Sequence, residues 1–136
     1  MQLIQPITKR FLAIEVPLGA TISAGNRVQF NYNPDVQTGL IYAVQAFSVA
    51  DWSTSPSGAA VVSTMGLASL LLTLVVGENE EVQQIPVSDL RSANVNGFIR
   101  LFDNKKLNLV KSYVTINSTT GLVASNSLML GLHYQY

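Results

Sequence analysis

The side chains able to do chemistry in this chain are few and scattered. The chain has one histidine, His133, and no cysteine. Thiolate nucleophiles, disulfides and thiolate metal sites are therefore excluded. A His-rich metal centre needs more than one imidazole, and a Ser-His-Asp arrangement needs partners that nothing near His133 supplies. His133 reads as an exposed strand histidine. Glu78, Glu80 and Glu81, with Asn79, gather oxygens of the kind Ca²⁺ prefers, but their spacing is not that of a calcium loop. They read as a solvated, acidic hairpin turn. Gly19 and Gly25 stand too far apart to cradle a phosphate. Asn117-Ser118-Thr119 fits the glycosylation acceptor pattern, which so short a run reaches by chance. Trp52, in the Ser-rich run DWSTSPSG, caps the core, stacks on a sugar or inserts into a partner, and Tyr32 and Tyr42 are the further candidates for a sugar ligand. The chain reads as non-enzymatic: no catalytic, cofactor-binding or metal-ligating residue is assigned, and no cofactor.

The elements that would position these residues are organised around 58–87. This stretch opens GAAVVSTMGLASLLLTLVVG, twenty residues without a charge. That length can span a bilayer as a helix. The flanks argue otherwise, since Asp51 and Glu78 bracket the run and no Lys or Arg anchors either end. The first half is rich in small and hydroxylated residues, and LLLTLVV at 70–76 has the continuous apolar character of a strand buried on both faces. The expectation is a loop, a buried strand, a turn at 78–81 and a second strand at 82–87, with no membrane insertion. Pro86 cannot donate to a ladder, so that second strand is an edge or ends there.

The rest of the chain alternates between strand and turn signals. Strands are expected at 11–18, 27–32, 41–49, 70–76, 82–87, 98–103, 112–117 and 127–136. Asn33-Pro34-Asp35, Asn96-Gly97 and Asp103-Asn104-Lys105-Lys106 are read as turns, and Ser88 as the cap of one helical turn. The last strand has the plainest period of two: Leu128, Leu130, Leu132, Tyr134 and Tyr136 on one face, Ser127, Met129, Gly131, His133 and Gln135 on the other. Many short strands without a long helix mean a sandwich or barrel. With one long excursion at 51–69, the pattern fits an all-β, eight-stranded antiparallel jelly-roll sandwich forming a single domain over 1–136. An immunoglobulin-like sandwich is the alternative, but it lacks its Cys…Trp…Cys pattern here.

Composition bears on partners. Net charge is zero and 12% of residues are charged, against 48% hydrophobic. A monomer bathed in water commonly has about twice that charged fraction. The eight basic residues form no arm or stripe, which argues against nucleic acid.

On the strand pattern, on LTLVVGENEEVQQIPVSDL at 72–90 and on the terminal SLMLGLHYQY, the chain resembles the single jelly-roll virion proteins of tailless icosahedral phages, the small proteins at capsid vertices. The resemblance implies a virion protein, assembled in the host cytoplasm, that forms a homo-oligomer and binds a major capsid protein. A penton-type pentamer is favoured and a trimer comes next. It implies no site residues. The basic N-terminal arm of many RNA-virus coats is missing. The second expectation is a ligand-binding jelly roll, such as a carbohydrate-binding module, working through Trp52, Tyr32 or Tyr42.

Overall fold

The structure is a computed structural model and describes residues 9–30, 33, 40–76, 79–91 and 99–135. The strands are β1 (Lys9–Pro17), β2 (Arg27–Gln29), β3 (Leu40–Phe47), β4 (Leu70–Val76), β5 (Asn79–Pro86), β6 (Ile99–Lys105), β7 (Tyr113–Ile116) and β8 (Ser127–Gln135). A single helical turn, α1 (Thr64–Leu67), precedes β4, and a 3₁₀ turn (Val87–Leu90) follows β5.

The pairings are nested and antiparallel. β1 pairs with β8, β2 with β7, β3 with β6 and β4 with β5. Two further pairings, β3 with β8 and β4 with β7, join these ribbons into sheets. Two four-stranded sheets result, in the orders β1-β8-β3-β6 and β2-β7-β4-β5. The chain is thus all-β and antiparallel. Among the described residues, no helix is long and apolar enough to cross a membrane.

Alternation explains the core. On β8, Leu128, Leu130 and Leu132 are fully buried and Tyr134 nearly so. Ile14 and Val16 on β1 and Val44 and Ala46 on β3 join them from the same sheet, and Leu70, Leu72, Leu74, Val114 and Ile116 meet them from the other. Each such Val, Leu or Ile side chain contributes roughly 1.5–3 kcal/mol when removed from water. β5, which ends at Pro86, lies at the edge of its sheet, where a residue without an N–H is tolerated.

Several expectations are corrected. Asn79, Glu80 and Glu81 belong to β5, with Asn79 opposite Val76 and Glu80 opposite Val75, so the acidic run is strand and not turn. Gly77 and Glu78 lie outside the described residues. Asp103, Asn104 and Lys105 are also strand, because Lys105 pairs with Ile41. The turn comes later: Asn108 Oδ1 accepts the Lys111 amide at 3.3 Å, and Leu107 and Leu109 fold inward on either side of Asn108. Tertiary pairing overrides the turn composition of 103–106. Ser88 lies inside the 3₁₀ turn and not at its cap position, which Pro86 takes with a φ of −57° that suits it. β2 stops at Gln29, and Phe30 then buries itself. Pro34, Asp35, Asn96, Gly97, Phe98 and Tyr136 lie outside the described residues.

Candidate functional site

The outward face of the β1-β8-β3-β6 sheet carries a strip of aromatic rings. Register builds it. Phe11, His133 and Ala43 share one row, Ala13, Gly131 and Gln45 the next, and Glu15, Met129 and Phe47 the third. A register shift between Ile41 and Ala43 adds Tyr42 beside His133. Ring centroids then step from Tyr42 to His133 (6.0 Å), His133 to Phe11 (5.1 Å), Phe11 to Phe47 (6.3 Å) and Phe47 to Trp52 (5.5 Å). These are edge-on and tilted contacts in the favourable range for aromatic pairs.

Gly131 makes the strip possible. A Cβ there would sit 2.5 Å from Phe11 Cε2 and 3.0 Å from Gln45 Cγ. The Phe11 ring therefore leans across the neighbouring strand while remaining 47% exposed. His133 is half-buried rather than exposed, and its Nε2 lies 2.7 Å from Gln45 Oε1. Burial pushes the imidazole pKa below 6.5. A neutral ring that donates from Nε2 to the amide oxygen fits that environment.

The segment after β3 is pinned across the same face. At its start, Asp51 takes a two-pronged ion pair from Arg91, with Nε to Oδ2 at 2.8 Å and Nη2 to Oδ1 at 3.0 Å. The Ser48 amide also donates to Asp51, at 3.0 Å. Arg91, with help from Ser48, holds the Asp51 carboxyl down at about 2. Further along, Glu15 accepts the Ser55 hydroxyl at 2.9 Å, the Ser57 amide at 3.1 Å, the Ser57 hydroxyl and the Ser127 hydroxyl at 2.6 Å. Burial alone would raise this carboxyl, but the hydroxyls and the amide bring it to about 2. An open cleft of about 250 Å³ beside Glu15 is lined by Phe30, Asn33 and Pro56.

The structure sorts the sequence candidates. Trp52 does not cap the core between the sheets; it packs on Phe47 at the outer face. Tyr42 joins the same strip, while Tyr32 lies outside the described residues. Asn117 is exposed, and its amide donates to the Ser69 carbonyl at 2.8 Å. Gly19 and Gly25 are separate positive-φ turns with open space around them. Among the described residues, no three metal-ligating side chains gather. Phe11, Gln45, Phe47 and Gly131 were missed by sequence reasoning. Alternation puts Gly131 opposite the leucines of β8 and Phe11 opposite Leu12 and Ile14, but 41–49 is apolar on both sides and its alternation is broken between Ile41 and Ala43, so strand pairing is needed to place Gln45 and Phe47 and to make the four neighbours.

No protein-family model matches the chain, no curated protein matches it, and no solved structure matches it.

Proposed function

We propose that the chain is a structural virion protein, a capsid or penton-type vertex component that assembles as a homo-oligomer on a jelly-roll framework. The nested pairing carries this reading. A ribbon whose outermost strands pair with each other, and so on inward to β4 and β5, wraps into sheets ordered β1-β8-β3-β6 and β2-β7-β4-β5. That is the wiring expected of a jelly roll. Sparse charge supports assembly, as do three exposed apolar side chains: Val49 (40%), Met65 (64%) and Val123 (60%). Their segments adjoin. The Val49 amide donates to the Val62 carbonyl at 2.9 Å, and the Ser63 hydroxyl donates to the Gly121 carbonyl at 3.1 Å. A ring of copies would cover this patch and the sheet edges. A pentamer is favoured, a trimer comes next, and the outer partner is a major capsid protein. An obligate contact of this kind buries on the order of 2,000 Å² or more.

Native mass spectrometry of the full chain tests the reading. The expected mass is five times 14.7 kDa, or three times for the trimer. A monodisperse monomer at tens of micromolar would reject assembly by the chain alone.

A further inference from the structure

We infer that the free edge of β1 is a self-association site, where β1 of a second copy of this chain adds as an antiparallel strand about a two-fold axis through Leu12, a contact independent of the virion reading.

Among the described strands, β1, β6, β2 and β5 end the two sheets. Three of them are poor templates. β2 spans only Arg27–Gln29, and register shifts break the ladders that hold β5 and β6. β1 differs, because all of Lys9–Pro17 pairs with β8 in one unbroken register. Short or bulged edges resist further pairing, whereas a long regular edge invites it. Backbone phase shows which groups β1 presents. The Ser127 amide donates to the Ala60 carbonyl at 2.9 Å, and the Ser127 carbonyl accepts the Val62 amide at 3.0 Å. Ser127 therefore turns its backbone away from Pro17, its register partner on β1. Phase alternates along an antiparallel ladder, so Glu15, Ala13 and Phe11 turn their N–H and C=O groups to the free edge, while Ile14 and Leu12 face β8. Pro17 stands where β8 needs no N–H. Part of this edge opens on the cleft of about 250 Å³, which Ala13, Ile14, Glu15 and Val16 line in succession. Successive strand side chains point to opposite faces, so a cleft lined this way runs along the backbone edge.

Charge selects the occupant and its direction. β1 reads KRFLAIEVP, basic at its start and acidic at Glu15. A parallel copy in register would set Lys9 and Arg10 beside their own kind. An antiparallel copy paired about Leu12 sets Lys9 across from Glu15 and Phe11 across from Ala13, each twice by symmetry. All of these positions face the edge, so the backbones bond while opposite charges and large and small residues meet. Glu15 has room for a further donor, since three serine hydroxyls share its Oε2 and Oε1 accepts one amide, that of Ser57. One strand edge buries less surface than the ring contact, so the pairing is weak and acts at high concentration on single chains and rings alike.

Sedimentation equilibrium at about 1 mM, where weak contacts are populated, compares the full chain with two variants. Ala13→Pro removes an N–H that β8 does not use and blocks the edge. The wild-type weight-average mass should be at least about 1.5 times that of this variant. Lys9→Glu sets like charges across both ends of the pairing and should weaken self-association about tenfold. Circular dichroism checks that each variant keeps its β spectrum. If Ala13→Pro does not, Lys9→Glu and amide exchange decide. In the wild type, the Phe11, Ala13 and Glu15 amides should exchange about fivefold more slowly at 1 mM than at tens of micromolar, while Leu12 and Ile14 stay protected at both. Equal masses for the wild type and the folded variants overturn the inference, as do edge amides that do not respond to concentration. The ring stands or falls separately, on the native mass at tens of micromolar.

Discussion

The Glu15 carboxylate accepts the Ser127 hydroxyl at 2.6 Å, tying β1 to the first residue of β8, and the same carboxylate holds Ser55 and Ser57 of the overlying loop. The folded-state pKa, about 2, lies below the ordinary 4.5. Its contribution is therefore complete above pH 4.5 and is lost as pH falls from there through about 2. Glu15→Gln should cost about 1–2 kcal/mol at neutral pH, a figure reduced for the partial exposure of the site. It should also flatten the acid limb of the stability profile. Urea denaturation between pH 7 and pH 3 measures both. Asp51, held down to about 2 by Arg91, shares the window, so the limb should shrink rather than vanish. An unchanged limb would mean that the serines do not hold Glu15.

His133 is shifted in the same direction, but because its neutral form is the one favoured. Its folded pKa lies below the ordinary 6.5 because burial disfavours the charged ring. The neutral form is favoured in the fold, so stability should be full above pH 6.5 and decline as pH falls below it. An NMR titration of the single imidazole should give a midpoint below 6.5. A higher midpoint would require a negative partner beside it and would contradict the Phe11 and Tyr42 surroundings.

Met129 and Leu130 point to opposite faces of β8, yet both are fully buried. Leu130 meets the core between the sheets, and Met129 sits between Glu15 and Phe47 in register. Each truncation to Ala should cost about 2–5 kcal/mol. Thermal or chemical denaturation compares them. A cost for Met129→Ala below about 1 kcal/mol would mean that the outer face opens in solution.

The strands around these residues were legible where alternation or a continuous apolar run left little choice, as at β8 and β4. Alternation also placed His133 opposite the leucines. It could not say that Phe11 lies beside His133, because a face is a local property and a neighbour depends on register. Segments where polar turn composition competed with pairing were misread. Asp103 to Lys105 continue a ladder, and Asn79 to Glu81 open one. The excursion at 51–69 shows no period, yet it is ordered by particular polar bonds to Glu15 and Arg91.

Gly121 and Gly25 both adopt positive φ, +74° and +91°, but only Gly121 is crowded. A Cβ at Gly121 would lie 2.8 Å from the Gly66 amide nitrogen, whereas Gly25 faces open space. Gly25→Ala should cost about 1 kcal/mol from the backbone alone. Gly121→Ala should cost about 2–3 kcal/mol because α1 must shift as well. Equal melting temperatures for the two variants would show that the contact yields freely.

The uncharged 61–67 segment suggests a sheath against neighbouring copies, but its apolar residues divide sharply. Val61, Val62 and Leu67 are buried within their own chain, while Met65 is 64% exposed on the same helical turn. Leu67→Asp should therefore unfold the chain, since an unpaired charge would enter the core. Met65→Asp should leave the β spectrum intact, because surface substitutions seldom move stability by more than about 0.5 kcal/mol. If Met65, Val49 and Val123 form the contact between copies, Met65→Asp together with Val123→Asp should also bring the native mass down to 14.7 kDa. Circular dichroism and native mass spectrometry on the same samples separate the two effects. A folded double variant that keeps its full oligomeric mass would remove this patch from the interface and leave the sheet edges as the remaining contact.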